Sequence, residues 1–176
     1  TQVNVNGAGQ NILGDAANET SIAVNPLNPN IMAIGWRQFD NVISNFRQAG
    51  WGYTTNGGNT WTFPGKIQPG VFRSDPVLDF DTSGNFYYNS LTSSAGPTFS
   101  CRTFKSTNGG MSWNAGTSAH GGDKQWIAID RTSGVGSGNI YSTWSSNFSN
   151  CLPGFFTRST DGNSRYEPCT IVDGDP

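Results

Sequence analysis

Charged side chains are scarce in this sequence of 176 residues, and this scarcity excludes several classes of protein. Only 12% of the residues are Asp, Glu, Lys or Arg, and 10 basic against 12 acidic residues leave a net charge of −2. Nucleic-acid-binding proteins neutralise phosphates with a basic patch, so we expect no nucleic-acid partner. Long apolar runs are also missing, whereas a membrane-spanning helix needs about 20 predominantly apolar residues. We therefore expect no membrane span.

Metal ligands of the nitrogen and sulfur type are also few. His120 is the single histidine, and the three cysteines form no Cys-x-x-Cys pair. Zinc sites are usually built from four such ligands at short spacings. We therefore expect no metal and no cofactor.

Glycine and aromatic residues are abundant instead. The sequence has 23 glycines and 12% aromatic residues, and Asn, Ser and Thr recur between short β-branched and aromatic runs. Turn-forming residues that separate such runs are typical of tight β-hairpins. The composition therefore predicts an all-β fold.

An internal repeat organises the chain. Three similar segments begin at residues 54, 106 and 159: TTNGGNTW at 54–61, STNGGMSW at 106–113 and STDGNSRY at 159–166. The starts are 52 and 53 residues apart (106 − 54 and 159 − 106). A fixed period near 50 residues is typical of stacked or radial repeat folds.

A second repeated signal defines the unit. Short apolar runs at 21–25, 76–81 and 126–130 each end in Asn or Asp and are followed by a turn and another strand-like run. Each unit then contains four antiparallel strands, the pattern of a propeller blade. We predict an N-terminal strand or arm and three blades, with the start of a further blade after them. The predicted bounds are 1–17 for the arm, 18–70, 71–121 and 122–173 for the blades, and 174–176 for the further blade.

The repeated turns resemble the Asp-box of the sialidase-like propeller superfamily, which is also called the BNR repeat. The resemblance implies secreted propellers, and it implies that the box residues stabilise the turn and pack between sheets rather than catalyse. These residues are Asn56, Gly58, Trp61, Asn108, Gly110, Trp113, Asp161 and Tyr166. A chain that begins with Thr1 also fits a processed secreted protein, so we expect an extracellular location.

A ligand site is expected on the face opposite the boxes, where blade-opening loops surround the central channel. Residues of mixed charge and one indole fall there, a combination that suits a sugar. The predicted ligand-binding residues are Glu19, Arg37, Arg73, Lys124 and Trp126, and the candidate catalytic carboxylates are Asp40, Asp75 and Asp123. The alternative is structural: Asp75 and Asp123 occupy equivalent positions and tie adjacent blades together.

The sequence is compatible with three hypotheses about function. The first is a non-catalytic propeller that binds carbohydrate or protein. The second is part of a glycoside hydrolase, sialidase-like or xyloglucanase-like, whose catalytic set is completed by other blades. The third is a structural assembly protein, because three blades leave open sheet edges. A glycan or a second copy of the chain, which would complete a six-bladed ring or stack edge to edge, is therefore the expected partner.

The odd number of cysteines predicts one disulfide and one remaining thiol. Spacing alone does not fix the pairing. Cys101 and Cys151 lie near the starts of the third strands of neighbouring units. A bond between them would join two blades and leave Cys169 free or paired outside the chain.

Overall fold

The fold is all-β, and the computed structural model describes residues 1–93 and 97–172. These residues form three antiparallel sheets, and no helix long and apolar enough to cross a membrane occurs among them. The predicted start of a further blade at 174–176 lies outside the described residues. Sheet 1 consists of β1 (Ala16–Val24), β2 (Met32–Phe39), β3 (Gln48–Thr54) and β4 (Thr62–Ile67). Sheet 2 consists of β5 (Ser74–Phe80), β6 (Phe86–Ser93), β7 (Phe99–Ser106) and β8 (Thr117–Ser118). Sheet 3 consists of β9 (Asp123–Ile129), β10 (Ile140–Ser145) and β11 (Phe156–Ser159).

The strands follow chain order within each sheet, but two details differ from the sequence prediction. β1 begins at Ala16, inside the predicted arm. Sheet 3 has three strands within the described part of the chain, and a single bridge between Phe156 and Thr170 stands where a fourth strand was expected. Pro168 precedes that bridge and cannot donate a ladder hydrogen bond, which limits pairing along this segment.

The first strands of the three sheets lie side by side, in the order β1, β5, β9. Hydrogen bonds connect them: Leu78 N donates to Ser21 Oγ at 2.9 Å, and Ile129 N donates to Asp79 Oδ2 at 2.9 Å. Because each sheet contacts the next along its first strand, the starts of these strands are brought to one place.

Two apolar cores separate the three sheets. Successive residues of β6 point to opposite faces, as in any strand, so Tyr88 faces sheet 1 and Tyr87 faces sheet 3. Tyr88 Oη donates to the Gly50 carbonyl at 3.2 Å, and a Cβ at Gly35 would overlap the Tyr88 ring. Glycine at position 35 therefore lets β2 and β6 approach closely.

The outer face of sheet 1, which points away from sheet 2, is partly covered by the N-terminal arm. Val3 lies over Gly52, and Gln38 Nε2 donates to Asp15 Oδ2 at 3.1 Å. Within the predicted N-terminal strand or arm, residues 1–15 form no strand, and Val5 and Asn11 are joined by a single bridge. The arm packs on its own chain through a tight turn.

The disulfide joins Cys151 and Cys169, so the predicted Cys101–Cys151 bond is wrong. The two bonded cysteines are 18 residues apart, with Cα atoms 6.2 Å from each other. Cys101 lies in β7 with 1% of its surface exposed and its side chain in the core between sheets 2 and 3. Burial raises the pKa of its thiol well above the ordinary value. The disulfide therefore closes a loop within the last unit rather than linking two units.

Candidate functional site

Each first strand carries the same irregularity near its start. Three residue steps of the first strand oppose two steps of the second strand: 18–21 opposite 35–37 in sheet 1, 74–77 opposite 89–91 in sheet 2, and 123–126 opposite 143–145 in sheet 3. One extra residue in one strand is a β-bulge, which bends the strand and redirects its side chains. The three units thus share a bulge at one end of their first strands.

The extra residue adopts a left-handed backbone in every bulge. Glu19, Asp75 and Lys124 have φ values of 52°, 48° and 54°. Such a backbone is unfavourable for residues with a Cβ by roughly 1–2 kcal/mol each. The prediction that Asp75 and Asp123 are equivalent is therefore wrong by one position, because Asp75 corresponds to Glu19 and Lys124, while Asp123 corresponds to Asn18 and Ser74.

A cleft of about 310 Å³ lies where the bulges meet. Its volume falls at the lower end of the range of small-molecule sites. The lining residues come from all three first strands: Glu19, Thr20, Asp75, Pro76, Val77, Lys124, Gln125 and Trp126. The structure therefore brings together four residues that the sequence suggested for a site: Glu19, Asp75, Lys124 and Trp126.

Opposite charges compensate one another at this cleft. Arg37, from β2, forms an ion pair with Glu19, and its Nε lies 3.9 Å from Asp75 Oδ1. Lys124 Nζ lies 3.6 Å from Asp75 Oδ2 and 3.9 Å from Glu19 Oε1. The side chains of Arg37 and Asp75 are largely buried, whereas those of Glu19 and Lys124 are open to solvent. We call these four residues the charge cluster.

Burial lowers the pKa of the Arg37 guanidinium, and the nearby carboxylates of Asp75 and Asp123 oppose that effect. Arg37 Nε has no hydrogen-bond partner among the described residues. A desolvated cation depends on close anions for its stability. Arg37 is therefore stabilised by its ion pairs with Glu19 and Asp75 and is not a free cation for a ligand.

Two neighbouring residues of β9 complete the cleft with different chemistry. Trp126 exposes 63% of its surface, an unusual state for so large an aromatic side chain. Gln125 is 2% exposed; its amide NH₂ donates to the Asp75 carbonyl, while its Oε1 has no partner among the residues described. Sequence reasoning missed Gln125, although its alternation with exposed Lys124 and Trp126 indicates an inward-facing position.

Two other predicted site residues lie away from the cleft lining. Asp40 is exposed and contacts Lys66 Nζ at 2.8 Å and Gln48 Nε2 at 3.0 Å; its hydrogen bond with Lys66 is the main cause of its lowered pKa. Arg73 is 2% exposed and donates to Gln68 Oε1 at 2.6 Å. Burial lowers the Arg73 pKa to about 10. These residues were placed at the site because the sequence did not reveal their packing.

The boxed turns share one set of hydrogen bonds. Asn56, Asn108 and Asp161 each accept through Oδ1 from a hydroxyl two residues earlier and from a backbone amide four residues later, at 2.9–3.1 Å. The residue two positions after this Asn or Asp has a left-handed backbone in each copy, with φ of 84° at Gly58, 85° at Gly110 and 79° at Asn163. The box side chains thus bond within their own turns, away from the cleft lining.

The aromatic residue that ends each box has a different environment in the three copies. Trp113 packs against Tyr88 with ring centroids 5.6 Å apart, and Tyr166 Oη donates to Thr103 Oγ1 at 3.0 Å. Trp61 is half-buried beside its own Gly58. Tyr166 therefore contacts the preceding sheet, whereas Trp113 contacts Tyr88 of its own sheet and packs against the core between sheets 1 and 2. No sheet precedes sheet 1 among the described residues.

Comparison with known proteins adds information on the fold alone. No family model matches the sequence, and no curated protein matches it. The chain is similar in structure to a protein of unknown function from Dyadobacter fermentans DSM 18053, with a TM-score of 0.55 and 14% sequence identity. The alignment covers 92% of this chain and 59% of that one, so this chain spans about three-fifths of that protein's length.

Proposed function

We propose that the protein is a secreted, non-catalytic carbohydrate-binding protein, that its three sheets are blades of a sialidase-like propeller, and that the sugar binds in the cleft between the bulges. The observation that carries the proposal is the exposed indole of Trp126 beside the charge cluster. Amphipathic aromatic rings offer a flat apolar surface, and fixed polar groups at their edge supply orientation. The C–H face of a pyranose ring and its hydroxyls fit these two surfaces.

The carboxylates of the cleft support binding rather than hydrolysis. A glycosidase normally needs a protonated carboxylic acid opposed to a second carboxylate across the scissile bond. Asp75 instead contacts two cations, and Asp40 lies outside the cleft lining. Asp123 is half-buried, next to the bulge residue of β9. A pair with the required opposition is not formed by these three described residues.

Glycan binding by the chain tests the proposal. We expect saturable binding to glycans on an array, followed by calorimetric measurement of Kd for the bound class. Trp126→Ala should weaken binding at least about tenfold, the effect of losing a contact worth roughly 1.4 kcal/mol. Trp61→Ala, which changes a half-buried Trp outside the cleft, is the matched control and should bind as the unchanged chain does. Equal affinity of both variants would refute the cleft as the site, and release of reducing ends would refute a non-catalytic role.

A second candidate function, self-association, is favoured by the two outer faces of the stack of sheets. Leu78 and Ile127 are buried against the preceding sheet, but the corresponding Ile22 of sheet 1 exposes 51% of its surface. On the opposite side, Asn89 of sheet 2 is fully buried by sheet 3, whereas the corresponding Thr143 of sheet 3 is exposed. Sheet 3 of one copy could therefore pack on the part of sheet 1 of a second copy around Ile22, beside the N-terminal arm that covers Gly52.

Mixed charged variants test this association. Ile22→Glu and Thr143→Glu should each be monomeric by sedimentation at concentrations where the unchanged chain is dimeric. A mixture of the two variants retains one intact junction and should recover dimer. A monomeric unchanged chain at high concentration would refute the second candidate. Association would also cover Trp126, so dimer formation should compete with glycan binding if both occur.

A further inference from the structure

We infer that the cleft selects a neutral, hydroxyl-rich sugar over a sugar that carries a carboxylate. The inference rests on the proposed carbohydrate-binding function and concerns the class of ligand that the same site accepts. Three features of the cleft support it: the balance of charge, the hydrogen-bonding capacity of Glu19, and the apolar surface next to it.

The first feature is that the cations of the charge cluster are already compensated. Arg37 and Lys124 are the two cations, and both lie within 3.9 Å of carboxylates of Glu19 and Asp75. Asp123 adds a further negative charge that acts on Arg37. A ligand carboxylate would meet like charges at short range and would have to displace an internal ion pair to gain a cation. Both effects oppose binding of an anion.

The second feature is an acceptor that is open to the ligand. Glu19 lines the cleft, and its carboxylate is open to solvent. A sugar hydroxyl both donates and accepts, whereas an ionised carboxylate only accepts. A ligand hydroxyl can therefore donate to Glu19, whereas a ligand carboxylate at the same position cannot.

The third feature is the apolar wall formed by Pro76, Val77 and Trp126. This wall offers no charge to a ligand, and its contribution to binding grows with the apolar area that is covered. The C–H face of a hexopyranose supplies such area, while hydroxyls at its edge reach the charge cluster. The site thus combines an aromatic ring on which a sugar can stack, that of Trp126, with a charge cluster whose net charge is zero.

The test compares hexoses with the uronic acids of the same stereochemistry, such as glucose with glucuronic acid and galactose with galacturonic acid, each as the methyl glycoside or as an oligosaccharide. Each pair differs only in a hydroxymethyl group against a carboxylate. Calorimetry at pH 7 should give at least about tenfold weaker binding of the uronic acid. Binding of the neutral sugar should change little between low and high salt, because no net charge is neutralised.

Glu19→Gln is the informative variant, since it removes one negative charge and leaves a cation uncompensated. The ratio of the two affinities should shrink at least threefold in this variant, mainly through tighter uronic acid binding. Glu167→Gln, which changes a similarly exposed acid paired with Arg158 at 2.8 Å, is the matched control and should keep the original ratio. Unchanged thermal unfolding of both variants shows that the fold is retained.

The possible outcomes distinguish the selection of neutral sugars from carbohydrate binding itself. If neither member of any pair binds, and no glycan on the array binds, the carbohydrate-binding function itself is refuted. If uronic acids bind as tightly as hexoses or more tightly, the function stands and the selection of neutral sugars is refuted. An affinity ratio that Glu19→Gln does not alter would show that the charge cluster does not set the selectivity.

Discussion

Removing the Cys151–Cys169 bond should destabilise the protein by an amount that follows from the loop it closes. In the chain-entropy model, cross-linking lowers the entropy of the unfolded chain by about 2.1 + 1.5R ln n cal/mol/K. With n equal to the sequence separation of 18 residues, the expected contribution is about 3 kcal/mol at 25 °C. For a domain of this size, that corresponds to a fall in Tm of roughly 6–12 °C.

The assay is thermal and urea unfolding of the variant Cys151→Ser/Cys169→Ser beside the unchanged chain. Cys101→Ala is the control, and it should cost about 1 kcal/mol because it removes only a small buried group. A bridge from Cys101 to Cys151 would instead close a loop of 50 residues (151 − 101), worth about 4 kcal/mol. Under that pairing, Cys101→Ala would be the costly change, and Cys169→Ser would cost little.

A chemical measurement decides the same question without unfolding. Tryptic digestion before reduction should give a peptide of residues 132–158 linked to one that begins at Tyr166, because cleavage follows Arg131, Arg158 and Arg165. One thiol per chain should react under denaturing conditions before reduction, and three after it. A peptide that contains Cys101 linked to either of the others would refute the assigned pairing.

Three further outcomes are expected. Gly35→Ala should destabilise the fold by about 1–3 kcal/mol in urea unfolding, because its methyl group must displace the buried ring of Tyr88; a neutral effect would contradict the close packing of sheets 1 and 2. Lys124→Gly should be more stable than Lys124→Ala by roughly 1 kcal/mol in urea unfolding, because both variants lose the ion pairs with Glu19 and Asp75 and only glycine adopts a positive φ without strain; equal or lower stability of the glycine variant would show that the bulge backbone is not strained. Burial raises the pKa of three tyrosines above the ordinary value of about 10, so the unfolded chain releases these protons first and stability should fall as the pH rises above about 10. These are Tyr87, Tyr88 and Tyr166. Phenolate absorbance should therefore contain a component that appears only together with the loss of circular dichroism, and its gradual appearance in the folded protein would refute the buried placement.

Repeated chemistry made most of the fold predictable from the sequence. The boxes at 54–61, 106–113 and 159–166 recur because each turn needs a side-chain oxygen and a left-handed residue at fixed positions. The apolar runs before them alternate with the period of a strand. These local requirements are visible in any single unit, and each of the three sheets falls in one of the repeated regions, although β1 begins two residues before the predicted bound.

The candidate site was predictable only in part, because it depends on a backbone irregularity. Glu19, Asp75 and Lys124 share no residue type, so the bulge that unites them leaves no motif in the sequence. The extra residue is present in every unit, so comparing the units does not reveal it, and Asp123 was matched with Asp75 by residue type alone. Pairing of Cys151 with Cys169 depends on the path of the chain after β11, and short-range sequence signals do not encode that path.

The three bulges have a consequence for how the chemistry of the cleft can be changed. Since one backbone geometry presents three different side chains, the identity of each side chain is separable from the folding of its strand. This separation is greatest at position 124, where the side chain is largely open to solvent, and smallest at position 19, where Glu19 forms an ion pair with the largely buried Arg37. Lys124→Glu would reverse the charge of one wall of the cleft while leaving that ion pair in place. The repeat thus provides three positions with one backbone conformation, and a substitution at the exposed position 124 can alter ligand preference without changing the pairing of the strands.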